Sequence, residues 1–299
     1  MQLEPAAQQT NPISSDKSTK RTPWRESWRR LRKQKAAMVG GGLIVLFIVI
    51  GILAPLLAPY DPIAQNLSNT LKPPSADHWM GTDDSGRDIF SRVLYGARIS
   101  LTIGFFSVIG SLIVGAFLGL VAGYFGKKID TVISRFFDIM LAFPGILLAI
   151  AIVAILGPGL FNALLAIAIV NIPMYGRIIR AKVLSIKQEE YIMAARAQGM
   201  SQWRILFRHV LPNSWTPLIV QGTLGIASAI LEAAALGFLG LGAQPPEAEW
   251  GKMLADSREY ITSAPWAVMT PGIAIMLSVI GFNLFGDGLR DALDPKMKN

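Results

Sequence analysis

The chain contains no cysteine and only two histidines, His78 and His209. That excludes disulfide frameworks, thiol nucleophiles and His/Cys metal centres, each of which needs several such residues at defined spacing. Charge is scarce as well: Asp, Glu, Lys and Arg make up 16% of the 299 residues, against roughly 25% in soluble domains. No stretch reads Gly, four residues, Gly-Lys-Ser/Thr, the run that cradles nucleotide phosphates. No ATP hydrolysis and no bound cofactor are therefore expected of this chain. Apolar length takes the place of charge, with 52% hydrophobic residues, and that balance points to a membrane protein.

The formal net charge of +8 raises nucleic acid as a partner. A nucleic-acid interface gathers its basic residues on a soluble face, whereas here they flank apolar runs, which is the signal of membrane topology. No nucleic-acid partner is expected.

A helix crossing the hydrocarbon core needs about 20 apolar residues, and six runs qualify: Met38–Ala58, Ile99–Phe125, Thr131–Leu156, Leu160–Gly176, Trp215–Leu239 and Trp266–Gly286. In the second, Ser111, Gly115, Gly119 and Gly123 recur one turn apart, the pattern of a close helix-packing face. Gly157-Pro158-Gly159 makes a tight turn that sets the third and fourth runs antiparallel. Pro173 and Pro271 interrupt the fourth and sixth.

With the N-terminus inside, the cytoplasmic segments hold twenty-one Lys and Arg and the outside segments six. The expectation is an all-α polytopic membrane protein with six transmembrane helices and both termini cytoplasmic. Residues 1–22 read as a disordered cytoplasmic tail. Residues 23–58 read as a basic amphipathic segment on anionic lipid, carrying Trp24, Trp28, Arg25, Arg29 and Arg32, followed by the first span. Residues 59–98 form an outside segment, and residues 99–299 a five-helix core with a cytoplasmic loop at 181–213. The leader before the first span is too long, and its apolar run longer than a normal h-region, for a cleaved signal peptide to be expected.

That loop keeps two dozen polar and basic residues between apolar runs, as EYIMAARAQGMSQWRILFRHVLPN from Glu190 to Asn213. It reads as two helices, Gln188–Gln198 and Gln202–Leu211. Gly199 supplies the left-handed C-terminal cap, Ser201 the second N-cap, and Pro212 the stop. Trp203, Leu206, Phe207 and Val210 form an apolar stripe flanked by Arg204 and Arg208, while Ala194, Ala195 and Ala197 leave the first helix smooth. Such a hairpin either rests on lipid or docks a cytosolic partner.

AARAQG followed by LPN resembles the cytoplasmic loop of ABC importer permeases, whose pattern is Glu-Ala-Ala, three residues, Gly, then Leu-Pro. Ala194, Ala195, Gly199 and Pro212 match it, and Met193 stands at the glutamate position. The resemblance implies a coupling helix seated in an ATPase groove, with Arg196, Ser201, Trp203, Arg204 and Phe207 among its contacts. Further stretches, HWMGTDDSGRDIFSRVLYGARISL (His78–Leu101), FLGLGAQPPEAEWGKML (Phe238–Leu254) and FNLFGDGLRDALDP (Phe282–Pro295), resemble the dipeptide, oligopeptide, glutathione and nickel branch, above all the second permease of each pair.

The resemblance implies one permease subunit of an ATP-driven peptide importer in a bacterial or archaeal cytoplasmic membrane, forming half of a translocation path that works by alternating access. Its implied partners are a second permease, two ATPase subunits that hold ATP and Mg, and an extracytoplasmic solute-binding protein. Glutathione and nickel are the alternative substrates.

Several residues carry more local expectations. Trp250, after the stiff Pro245-Pro246, reads as a free anchor for the binding protein or for interfacial lipid. Phe90, Val93 and Leu94 suggest a helical face on the membrane, and GTDDSGRDIFSR a seat for the chain before the second span. Arg135 and Asp138 are placed to pair, since a lone charge at bilayer centre costs about 2.5–3.5 kcal/mol. Glu232 and Asn171 are candidates for the translocation path or for a helix contact, Glu232 as a site for a peptide amino terminus or as helix glue. A serine-enzyme reading of Asp84-Ser85-Gly86 has only His78 as a base. A stand-alone secondary transporter or channel would show an inverted repeat and midplane charges.

Overall fold

In lipid, helices gain little by hiding apolar side chains from one another, so close backbone packing has to hold the bundle. The computed structural model describes residues 23–293; the expected tail at 1–22 and the end beyond 293 lie outside the described residues. A basic helix, α1 (Pro23–Lys33), leads into α2 (Lys35–Leu57) and then α3 (Ile89–Phe125). There follow α4 (Lys127–Leu141), α5 (Gly145–Leu156), α6 (Leu160–Ile186), α7 (Glu190–Ala197), α8 (Gln202–Ile205), α9 (Trp215–Phe238), α10 (Trp250–Ser257) and α11 (Pro265–Leu293). In α1, Trp28 is exposed, with the Arg32 guanidinium 5.9 Å from its ring centre.

The packing face read on α3 lies against α6. A Cβ added at Gly119 would stand 2.1 Å from the Gly176 carbonyl oxygen, and one at Gly115 would stand 2.5 Å from that of Ile172. At the other side of the bundle Gly40 of α2 sits against Gly281 of α11, where a Cβ would meet the carbonyl oxygen at 2.6 Å. Both α6 and α11 run through their internal prolines, Pro173 and Pro271, without ending.

Among the described residues, five helices are long and apolar enough to span a bilayer: α2, α3, α6, α9 and α11. The expected third span, Thr131–Leu156, is not straight: α4 and α5 meet at 92°. Phe143-Pro144 is the cause, because the proline has no N–H to donate and pushes the residue before it out of helical backbone. The straight third span expected from the sequence is therefore replaced by a bent helix pair. The Gly157–Gly159 turn does fold α5 back onto α6, and Asn162 Nδ2 donates 3.0 Å bonds to the carbonyls of Leu156 and Gly157.

Helix α3 also begins ten residues earlier than its apolar run, because the Asp88 carboxylate caps it by accepting from Ser91 N at 2.8 Å. Phe90, Val93 and Leu94 thus belong to the first turns of a membrane helix, not to a separate surface helix. The connection from α2 to α3 is tied by polar side chains: Arg87 Nε lies 2.7 Å from Asp83 Oδ2 in an ion pair, and His78 Nδ1 lies 2.9 Å from Asp88 Oδ1. Arg92, 1% exposed, lies 3.5 Å from Asp83 and donates to the Pro62 carbonyl. His78 is thus held against Asp88 at a helix cap.

Candidate functional site

The segment after α6 folds as two short helices joined by a glycine. Gly199 has φ +74°, its N–H donates to the Arg196 carbonyl at 2.9 Å, and the next N–H, of Met200, reaches back to Ala195 at 3.1 Å. These two bonds close the end of α7 in a Schellman arrangement. Ser201 has the extended backbone of an N-cap, yet its side chain makes no capping bond.

The second helix is not uniform. After α8 the backbone widens into a π turn over Leu206–Val210, where Leu211 N bonds the Leu206 carbonyl at 2.8 Å, and a 3₁₀ turn over Pro212–Ser214 leads into α9. The expected stripe is divided between core and surface. Ile205, Leu206 and Val210 are fully buried against the bundle, whereas Trp203 and Phe207 are half exposed and stack on each other at 5.9 Å and 14°. Arg196, Arg204 and Pro212 are exposed beside them, as is Ala194, while Ala195 turns inward.

The inner side of this segment is fastened to the end of α3 by residues that sequence reasoning had passed over. Tyr124 Oη donates to Gln202 Oε1 at 2.5 Å. The Tyr124 ring has Arg196 Cζ 5.5 Å from its centre and Lys187 Nζ 5.8 Å from it, and Lys187 also donates to the Tyr124 carbonyl at 2.7 Å. Partial burial, followed by the nearby Arg196, holds Lys187 below the usual lysine range. Phe125 meets Trp203 edge to face at 5.4 Å. Aromatic residues at the basic end of a long glycine-packed helix were the available signal.

Charged pairs lash α4 to α6 at the same end. Arg180 reaches both oxygens of Asp130, at 2.5 and 2.8 Å, and Arg177 reaches Asp138 at 2.7 Å. The expected Arg135–Asp138 pair is loose, at 3.9 Å with Arg135 78% exposed. A partner on the neighbouring helix holds Asp138 better than the residue one turn away.

Within the spans, the structure brings Asn171 and Glu232 together: Asn171 Nδ2 donates to Glu232 Oε2 at 2.9 Å and to the Ile167 carbonyl at 3.0 Å. Below them, towards the basic end, α6, α9 and α11 line an open cavity of about 670 Å³ whose walls include Lys182, Asn213, Thr216, Gln221 and Arg290.

Trp250 departs from expectation. It is 0% exposed, its indole N–H donates to the Val93 carbonyl at 3.1 Å, and its ring meets Phe47 at 5.6 Å. A buried indole anchors neither lipid nor a partner; it fastens α10 to α2 and α3. The preceding Pro245 and Pro246 remain exposed. Glu249 is 1% exposed and caps α10, accepting from Gly251 N, Lys252 N and the Ser100 hydroxyl at 2.8–3.1 Å. Burial raises its carboxyl above the ordinary glutamate range, and these three donors oppose the rise only in part.

A family model described as the binding-protein-dependent transport system inner membrane component matches residues 115–299. This chain belongs to that family. A second model, the N-terminal TM domain of oligopeptide transport permease C, matches residues 22–74 of this permease. The permease is 63% identical to a dipeptide transport system permease protein of Alkalihalophilus pseudofirmus, covering 97% of this chain and 95% of the relative. It is 49% identical to a glutathione transport system permease protein of Pectobacterium atrosepticum, over 97% and 96%. Against a di/tripeptide transport system permease protein of Pseudomonas aeruginosa the identity is 50%, over 93% and 94%.

Among solved structures, an inward-facing form of the MetNI methionine ABC transporter superposes with a TM-score of 0.57 at 20% identity. It covers 69% of this chain and 98% of its own. The permease is thus a multi-pass membrane protein with an ABC permease fold, serving a binding-protein-dependent transport system.

Proposed function

We propose that this permease imports di- and oligopeptides as half of a paired translocation path, and that ATPase subunits dock on Glu190–Ser214 from the cytoplasm. The observation that carries the docking reading is the two-sided character of that segment. Its inner face is locked to α3 through Tyr124, while its outer face offers a stacked Trp203–Phe207 pair with Arg196 and Arg204. Exposed aromatic and arginine side chains are what a partner groove uses for anchoring. A surface that moves with the ATPases and is bonded to α3 differs in contact between two states, as alternating access requires.

The lysine and arginine asymmetry supports cytoplasmic termini, which puts this segment on the ATPase side and the α9–α11 connection with Pro245 and Pro246 on the side of the solute-binding protein. The names of the relatives support the substrate class: dipeptide, di/tripeptide and glutathione are all peptides. ATP and Mg belong on the ATPase chains. The test is mild-detergent purification of the tagged permease from its own membranes. A second permease and ATPase chains should come with it, and W203A/F207A should lose the ATPases while keeping the permease partner. Equal ATPase recovery with that double variant would refute docking through the aromatic pair.

A further inference from the structure

The only acidic side chain within α9 is Glu232, and its setting points past helix glue. Its one hydrogen-bond partner among the described residues is the neutral amide of Asn171, at 2.9 Å, which leaves Oε1 open. No Lys, Arg or His among the described residues stands within ion-pair distance of it. The carboxylate is half-buried and not sealed into the core. A group of this kind facing lipid is strongly disfavoured, so the face that carries it turns towards a protein partner or a wet path.

The helical period distinguishes a path from an isolated contact. On α9, Gln221, Ser228 and Glu232 fall on one face; on α6, Asn171, Ile178 and Lys182 do the same. Gln221, Ile178 and Lys182 line the 670 Å³ cavity. The pair therefore stands on the same faces as that lining, about two turns above it on α6 and three on α9, with exposed Ser228 between.

We infer that Glu232, oriented by Asn171, is the subsite in the translocation path that receives the amino-terminal ammonium of the peptide. The carboxylate Oε1 accepts from the ammonium, and the Asn171 amide holds Oε2 so that the open oxygen faces the path. Carboxylate and ammonium neutralise each other where neither is well solvated. This inference rests on the peptide-importer reading above.

The test uses the complete complex, purified from its own membranes and reconstituted in proteoliposomes with its binding protein, with labelled alanyl-alanine as the probe. Two quantities are read together: peptide taken up per ATP hydrolysed, and ATP hydrolysis stimulated by the loaded binding protein. In E232Q the uptake per ATP is expected to fall about tenfold, the scale of one charge-assisted hydrogen bond, while stimulated hydrolysis and subunit recovery persist. E232D should recover most of the uptake because it keeps the charge. N171A should lower uptake less than E232Q.

Uptake per ATP unchanged in E232Q would overturn the subsite with the importer intact. Loss of the second permease on purification of E232Q, with E232D and N171A transporting normally, would assign the carboxylate to the subunit interface and overturn it too. A wild-type complex that takes up no peptide at all would remove the peptide reading, and this inference with it.

Discussion

The Tyr124 hydroxyl at the end of α3 donates a 2.5 Å hydrogen bond to Gln202 Oε1, so the proposed docking segment and the longest helix of the bundle are joined by a side-chain bond as well as by packing. Glycine packing at Gly115, Gly119 and Gly123 in turn joins the second half of α3 to α6. A push on Trp203 and Phe207 therefore has a short route into the membrane helices.

Replacing Tyr124 with Phe keeps the ring, and with it the contacts to Arg196 and Lys187, but deletes this bond. Y124F should lower the stability of the purified complex by about 1 kcal/mol and reduce peptide uptake per ATP hydrolysed, with ATPase subunits still recovered. Thermal unfolding and coupled uptake, measured on the same preparation, check both halves.

Gly199 tests the turn of the docking segment without crowding it. Among the described residues nothing lies within 4 Å of a Cβ placed there, so the penalty of G199V is the backbone strain of φ +74°. That strain amounts to about 1–3 kcal/mol, and G199A should cost less than G199V. The variant should insert normally, retain its permease partner, and lose peptide uptake together with ATPase recovery.

At Gly119 the opposite holds, because a Cβ would stand 2.1 Å from a backbone oxygen of α6, and no rotamer change relieves a backbone clash. G119A should destabilise by at least about 1–3 kcal/mol, seen as a lower melting midpoint in detergent and a lower yield of folded protein. An alanine tolerated there at wild-type stability would contradict the packing of α3 on α6.

Glu249 predicts a pH dependence. Its folded-state carboxyl is raised by burial, so just above the ordinary glutamate range the folded chain holds a proton that the unfolded chain has lost. Its contribution is complete below the ordinary glutamate value and is lost as pH rises through the raised one. The melting midpoint should fall with rising pH across that window, and E249Q, which does not titrate, should flatten this part of the profile.

The apolar runs made five of the spanning helices legible, and the four-residue spacing of Ser111, Gly115, Gly119 and Gly123 identified the packing face of α3. Hydropathy alone could not show the bend between α4 and α5, since a single Pro144 barely changes the average of a long apolar run; backbone chemistry makes the break. The position of Gly199 was readable because left-handed backbone selects glycine strongly. The sharing of apolar residues between core and surface in the second helix was not, because tertiary packing decides that the arc carrying Ile205, Leu206 and Val210 faces the bundle while the arc carrying Trp203 and Phe207 faces out.

Trp250 shows the same limit from the other side. An aromatic near charged residues and prolines resembles an interfacial anchor, yet only the fold reveals that Gly96, whose Cβ would stand 2.5 Å from its ring, leaves room to bury it. Asn171 and Glu232 were each visible as polar residues in apolar runs. Their 2.9 Å contact depends on how α6 and α9 cross, which no local pattern encodes.

Uptake of a labelled dipeptide by the reconstituted complex, with and without ATP inside the vesicles, tests the central claim most directly. The account predicts accumulation that requires ATP, the ATPase chains and a binding protein, and that is lost on disrupting Trp203 and Phe207. Dipeptide uptake by this chain alone, independent of ATP, would contradict it.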